Sequence, residues 1–282
     1  MKYGFFPGCS YSSAAGYRES IDAINRLFGI QLVEIPDWNC CGATALFSLN
    51  EFKALALTGR LFALSQASGF REIVTVCNAC YTTLRKANQI LSNNPEIVSK
   101  INEDLSKEGL SLEGEFSVRH YLDVLYNDVP EETWSENLTE RLKDYEVACY
   151  YGCQFTRPWG DIDHMEQPTI LDRFIERLGF LPVDHSARTI CCGASHAISY
   201  AKECRLLISR IIREVRAKGG RVITTICPLC QFNLDSGQKG ISNPIPVPFF
   251  TQLAGLALGI NASELGLDKL LVPINRILSR KL

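Results

Sequence analysis

Short apolar runs and amphipathic stretches alternate along this chain, and the alternation occurs twice. The run Tyr3–Gly8 is followed by Tyr17–Phe28, in which Ile21, Ala23, Ile24, Leu27 and Phe28 recur at spacings of three and four, the pattern of a helix with one buried face. The run Val147–Gly152 is followed by Thr169–Leu178, where Ile170, Leu171, Phe174, Ile175 and Leu178 repeat that spacing. Gly29 and Gly179 stand where a helix C-terminal glycine is expected. Strand-like runs come next, Gln31–Ile35 and Phe180–Val183. Each half continues with a longer helical stretch, Glu51–Gln66 and Ser199–Lys218, closed near Gly69 and at Gly219-Gly220. A β-branched strand follows, Glu72–Val76 and Arg221–Ile226, then a further helix. A last strand and helix close each half, Phe116–Arg119 into His120–Tyr126 and Ile245–Pro248 into Phe249–Leu258. Strands alternating with helices predict an α/β protein of two similar domains made by internal duplication, each with a small, largely parallel sheet. The expected domains are 1–130 and 145–282. The polar helical stretch Asn94–Ser111 is an excursion of the first half alone, and 131–144, with Glu131, Glu132, Glu136, Glu140 and Asp144, reads as an acidic linker.

Composition narrows the class. A chain of 282 residues, 46% hydrophobic and 21% charged, is long enough for two modest cores. A net charge of −2 gives no reason to expect a nucleic-acid partner. No apolar run approaches the roughly 18 residues of a membrane span. The start, Met1-Lys2-Tyr3-Gly4-Phe5-Phe6, is too short and too soon interrupted for a signal peptide, so a cytoplasmic location is expected. Thiols there stay reduced, and the twelve cysteines read as ligands or redox groups before they read as disulfides.

Ten of those cysteines fall into two copies of one pattern: Cys9, Cys40-Cys41-Gly42 and Cys77-Asn78-Ala79-Cys80, then Cys153, Cys191-Cys192-Gly193 and Cys227-Pro228-Leu229-Cys230. The intervening gaps are 30 and 35 residues in the first copy and 37 and 34 in the second. Each group follows a predicted strand, where an α/β sheet gathers its ligands and where helix N-termini offer N–H groups to an anion. Five thiols exceed the four that zinc takes. Adjacent cysteines on a turn cannot easily both ligate one small tetrahedral ion, but they can reach neighbouring irons of a cluster. The ferredoxin run of closely spaced cysteines is absent. One polynuclear metal–sulfur site per copy is therefore expected, with these cysteine groups as its candidate ligands.

This doubled pattern resembles the CCG, or cysteine-rich, domain of the heterodisulfide reductase B-subunit family. The resemblance extends over the chain, through Phe6-Pro7-Gly8-Cys9, Val118-Arg119-His120, Leu125-Tyr126-Asn127-Asp128-Val129, Tyr151-Gly152-Cys153, Pro168-Thr169-Ile170-Leu171-Asp172 and Gln252–Gly259. It implies two noncubane 4Fe–4S clusters, one per half, between which a disulfide is reductively cleaved, with Cys41 and Cys192 acting through their clusters. It also implies a ferredoxin-type (C-like) iron–sulfur partner, itself fed by a flavin-carrying (A-like) one. The chain has no G-x-G-x-x-G fingerprint after a strand, so electrons are expected from such partners. The loops after the vicinal pairs, Gly42-Ala43-Thr44 and Gly193-Ala194-Ser195-His196, depart from the methanogen-type sequence, which leaves the disulfide open. Related cysteine-rich domains accompany glycolate, lactate and succinate or fumarate enzymes, so an electron-transfer subunit is the alternative. Among smaller features, His196 is a candidate proton donor, and Gln154 and Arg157 are candidate contacts for an anionic substrate. His120 and His185 read as supporting or solvated residues, and Cys149 and Cys204 as buried small hydrophobes. The stretch Leu270–Leu282 reads as an amphipathic docking or capping tail.

Overall fold

Parallel strands need crossover connections, and here every crossover carries a helix. The computed structural model describes residues 1–43, 45–139, 142 and 145–274. In chain order the strands are β1 (Lys2–Phe6), β2 (Gln31–Glu34), β3 (Glu72–Thr75), β4 (Ser117–His120), β5 (Glu146–Tyr150), β6 (Leu181–Pro182) and β7 (Val222–Thr225). The helices are α1 (Tyr17–Phe28), α2 (Leu46–Leu49), α3 (Glu51–Ala67), α4 (Asn78–Asn93), α5 (Pro95–Leu105), α6 (Tyr121–Asn127), α7 (Glu131–Asn137), α8 (Ile170–Arg177), α9 (Ala201–Ala217), α10 (Pro228–Ser236) and α11 (Phe250–Ala257). Packing divides the chain into two compact units. One is Met1–Cys9 with Gly29–Val124; the other is Ser10–Phe28 with the described residues from Leu125 onward.

The first unit holds a sheet of order β2-β1-β3-β4, parallel throughout. Phe6, Ile73 and Val74 on its strands are buried, as are Leu61 and Phe62 of α3 and Leu84 of α4. A parallel sheet covered on both faces explains why these strands read as apolar runs rather than alternations. Phe62 stacks on Phe116 with ring centroids 4.7 Å apart. The excursion of the first half is α5, anchored by buried Ile101 and Leu105.

The second unit holds a sheet of order β6-β5-β7, again parallel. The predicted strand Ile245–Pro248 does not form. One parallel bridge joins Thr225 to Phe249, and the N–H groups of Ile223 and Thr225 donate to the carbonyls of Pro246 and Pro248 at 3.0 and 3.4 Å. Two prolines have no N–H to return, so the ladder is one-sided. Pro182 likewise shortens the expected run Phe180–Val183 to the two residues of β6. Helix α1 packs in this unit: Tyr17 stacks on Phe249 at 3.8 Å, and the buried hydroxyls of Ser20 and Thr251 lie 2.7 Å apart. The acidic segment 131–144 contains α7, whose Trp134 is fully buried with its ring 4.5 Å from that of Phe28 and 5.2 Å from that of Phe174. Glu140 and Asp144, and the tail beyond Ile274, lie outside the described residues.

Candidate metal centres

The neighbours β1, β2 and β3 run in one direction, so their carboxyl ends share one edge of the sheet. Cys9 follows β1, Cys40 and Cys41 follow β2, and Cys77 stands at the N-cap of α4 with Cys80 in its first turn. The second unit repeats the placement: Cys153 follows β5, Cys191 and Cys192 follow β6, and Cys227 caps α10. Each set of five lies wholly within one unit.

In the first set, the sulfurs of Cys41 and Cys80 lie 3.3 Å apart. Hydrogen bonds from Cys40 and then from Cys80 hold the Cys41 thiol down to about 4. The same contacts raise their partners: Cys40 through its bond to Cys41, and Cys80 through its bonds to Cys41 and then Cys77. The charge of Cys9 also acts on Cys40, so all five sulfurs belong to one electrostatic group. In the second set, the sulfurs of Cys192 and Cys230 are 3.6 Å apart. The Cys191 thiol is lowered to about 6, first by a hydrogen bond from Cys153, and Cys192 is lowered first by Cys230. Cys153 and Cys230 are raised in return, Cys230 by Cys227 as well.

The glycine of each Cys-Cys-Gly has a positive φ, +73° at Gly42 and +79° at Gly193. That conformation, open to glycine, turns successive N–H groups toward the sulfurs. The N–H of Gly42 donates to Cys40 Sγ at 3.5 Å and that of Gly193 to Cys191 Sγ at 3.3 Å. The N–H groups of Ala43 and Ala194 act on Cys41 and Cys192. Backbone donors to sulfur stabilise thiolate over thiol. Among the described residues, no three Cys, His, Asp or Glu side chains are grouped to hold a single metal ion. An all-sulfur set of five on one rim, met by backbone N–H groups, has the donor chemistry of the anionic iron–sulfur group that the pattern predicts.

The remaining sequence candidates separate. His196 ends an exposed 3-10 turn after Gly193; its ring stands edge-on to Tyr200, and its charge helps lower Cys191. Arg157 is taken up by Glu166 and by the carbonyl of Thr189, so it is already paired. Gln154 follows Cys153 directly and is partly exposed. His120 is buried and accepts from the N–H of Leu122 at 3.2 Å. His185 is buried with its Nε2 3.1 Å from the Cys149 carbonyl. Burial, then the charge of Arg188, lowers it to about 4. Cys149 is fully buried in β5, and burial raises its thiol. Cys204 is buried too, but its thiol donates to the carbonyl of Gly193 at 3.2 Å. Two residues escaped the sequence reading. Tyr150 lies buried within the field of Cys230, Cys192, Cys153 and Cys191 and donates to the Ile190 carbonyl at 2.5 Å. Asn233 donates to the Cys192 carbonyl at 2.5 Å.

Residues 3–85 and 147–235 each match the cysteine-rich domain family designated CCG, and each match contains one full set of five. The chain is 31% identical over 280 residues to the B subunit of the ferredoxin/F420H2-dependent CoB-CoM heterodisulfide reductase of Methanosarcina acetivorans, covering 95% of this chain and 93% of that one. It belongs to the heterodisulfide reductase B-subunit family. It is 33% identical over 277 residues to the 8-methylmenaquinol:fumarate reductase membrane anchor subunit of Wolinella succinogenes, covering 95% of each. A crystal structure of a hypothetical protein from Helicobacter pylori matches 96% of this chain with a TM-score of 0.71 at 16% identity, a likeness of fold. The chain spans 52% of that longer protein. Among the described residues no helix is long and apolar enough to cross a membrane.

Proposed function

We propose that this chain is the catalytic iron–sulfur subunit of a heterodisulfide reductase-like complex that cleaves a disulfide, or forms one in the reverse direction. The observation that carries the reading is the duplication. Each half presents five cysteines on one sheet edge within a family whose named members include heterodisulfide reductase subunits. Cys9, Cys40, Cys41, Cys77 and Cys80 would hold one noncubane 4Fe–4S cluster, and Cys153, Cys191, Cys192, Cys227 and Cys230 the other. When bound, these groups would supply one electron apiece and iron with an affinity for sulfur. Cleavage of RS–SR′ consumes two electrons and two protons and gives RSH and R′SH, so two one-electron centres match one disulfide. The exposed His196 beside Cys191 would deliver a proton to a departing thiolate. The electrons would come from a ferredoxin-type iron–sulfur subunit fed by a flavin subunit.

The relative that serves a menaquinol:fumarate reductase favours a second reading, in which the same cysteine sets relay electrons without acting on a disulfide. The two readings part on one measurement. Under the first, adding disulfides of small thiols to the oxidised, iron-loaded chain changes its electron paramagnetic resonance spectrum for at least one disulfide, and that disulfide is reduced when electrons are supplied. An unchanged spectrum across the panel, with electron transfer to a quinone intact, would establish the relay.

A further inference from the structure

Over α3 and α9, the strands β3 and β7 and the first turns of α4 and α10, the two halves align residue for residue. Helices α3 and α9 have 17 residues each, and Cys77 and Cys80 stand opposite Cys227 and Cys230. This pairs Ala54 with Cys204 and Thr83 with Asn233. Counting back from Cys9 and Cys153 pairs Phe6 with Tyr150. The three second-half residues share one task. Tyr150 Oη donates to the carbonyl of Ile190 at 2.5 Å, Asn233 Nδ2 to that of Cys192 at 2.5 Å, and Cys204 Sγ to that of Gly193 at 3.2 Å. They come from β5, α10 and α9, and all three are buried. Cys204 also fills the space beside Gly193, where a Cβ would lie 2.7 Å from its sulfur.

The first half cannot build this clamp. Phe6 and Ala54 have no side-chain donor, and Phe6 instead meets Trp38 edge-on at 5.5 Å. Among the described residues, the first vicinal-cysteine loop is tied instead by partly exposed side chains: Asn39, a member of the loop itself, donates to the carbonyls of Cys40 and Leu57 at 3.1 and 3.2 Å, and Arg60 of α3 donates to the Asp37 carbonyl at 2.8 Å and to its carboxylate. A loop fixed by three buried donors from three elements resists displacement; one tied by partly exposed side chains yields more readily.

We propose that Tyr150, Cys204 and Asn233 are positioning residues that lock the second vicinal-cysteine loop, so that the two cysteine sets are inequivalent: the second retains its metal–sulfur group, and the first adjusts and releases. The inference rests on the reading that both sets hold such a group. It assigns the adaptable side of the chemistry to Cys40 and Cys41 and the anchored side to Cys191 and Cys192.

The test is iron release from the anaerobically purified full chain into a chelator, followed by absorbance. Release is expected in two phases. Cys41→Ser removes the fast one, which assigns it to the first set. Placing the first half's residues in the second, as Tyr150→Phe, Cys204→Ala and Asn233→Thr together, accelerates the slow phase by about tenfold, the low end of the effect of groups that orient metal ligands. Cys204→Ser, which keeps a donor, stays within the slow phase. If the triple variant fails to fold, the reverse grafts Phe6→Tyr, Ala54→Cys and Thr83→Asn carry the test, and they slow the fast phase. A single phase in the unaltered chain, or phases that none of the grafts moves, overturns the clamp. A chain that binds no iron at all overturns instead the reading on which it rests.

Discussion

Replacing Cys41 or Cys192 by Ser is expected to leave the chain with about half of its iron and no disulfide-cleaving activity, because thiolate is the donor that iron–sulfur groups require. Both residues are buried. Cys41 has Cys80 at 3.3 Å and accepts from Cys40; Cys192 has Cys230 at 3.6 Å and receives the Ala194 N–H. A serine hydroxyl there stays protonated and is a poor ligand for iron. The sets lie in separate compact units, so each substitution empties its own set and spares the other. Iron analysis gives the first number, and turnover gives the second, since one remaining centre supplies one of two electrons. Full iron and full activity in both variants would contradict the assignment.

A second expectation concerns stability and pH. His185 is held neutral by burial and by the Arg188 guanidinium, which lower its pKa from 6.5 to about 4. Arg188 is itself fixed, donating to the carbonyl of Pro168 at 2.8 Å and to Asp184 at 2.7 Å. Above pH 6.5 the ring is neutral in both folded and unfolded chain, and it contributes no slope. As pH falls from 6.5 towards 4, the unfolded chain takes up a proton that the folded chain refuses. Stability drops over that window by on the order of 3 kcal/mol and levels off below it. Denaturant titrations between pH 7 and 4 should show His185→Gln falling less steeply than the unaltered chain by that amount. Parallel curves would mean that His185 protonates in place.

Periodicity made much of the fold legible. Helix α1 follows its apolar spacing over Tyr17–Phe28, and the β-branched runs became the strands β3 and β7. The cysteine sets were legible for a related reason: topology carries the ends of parallel strands to one edge whatever the sequence between them. Periodicity is blind to which body a helix joins, and α1 packs in the second unit through Tyr17 on Phe249. It overrode the prolines at 182, 246 and 248, whose missing N–H groups shorten one strand and abolish another. The clamp on the second loop was hidden for a third reason. In sequence, Tyr150 is a strand hydrophobe, Cys204 a helix hydrophobe and Asn233 a helix polar residue, and their shared contact with one loop exists only in three dimensions.

Whether each five-cysteine set holds a polynuclear iron–sulfur group is decided by metal and acid-labile sulfide analysis of the anaerobically purified chain. Two loaded 4Fe–4S sites give about eight irons with a matching amount of sulfide per chain. Zinc with neither iron nor sulfide would contradict the account.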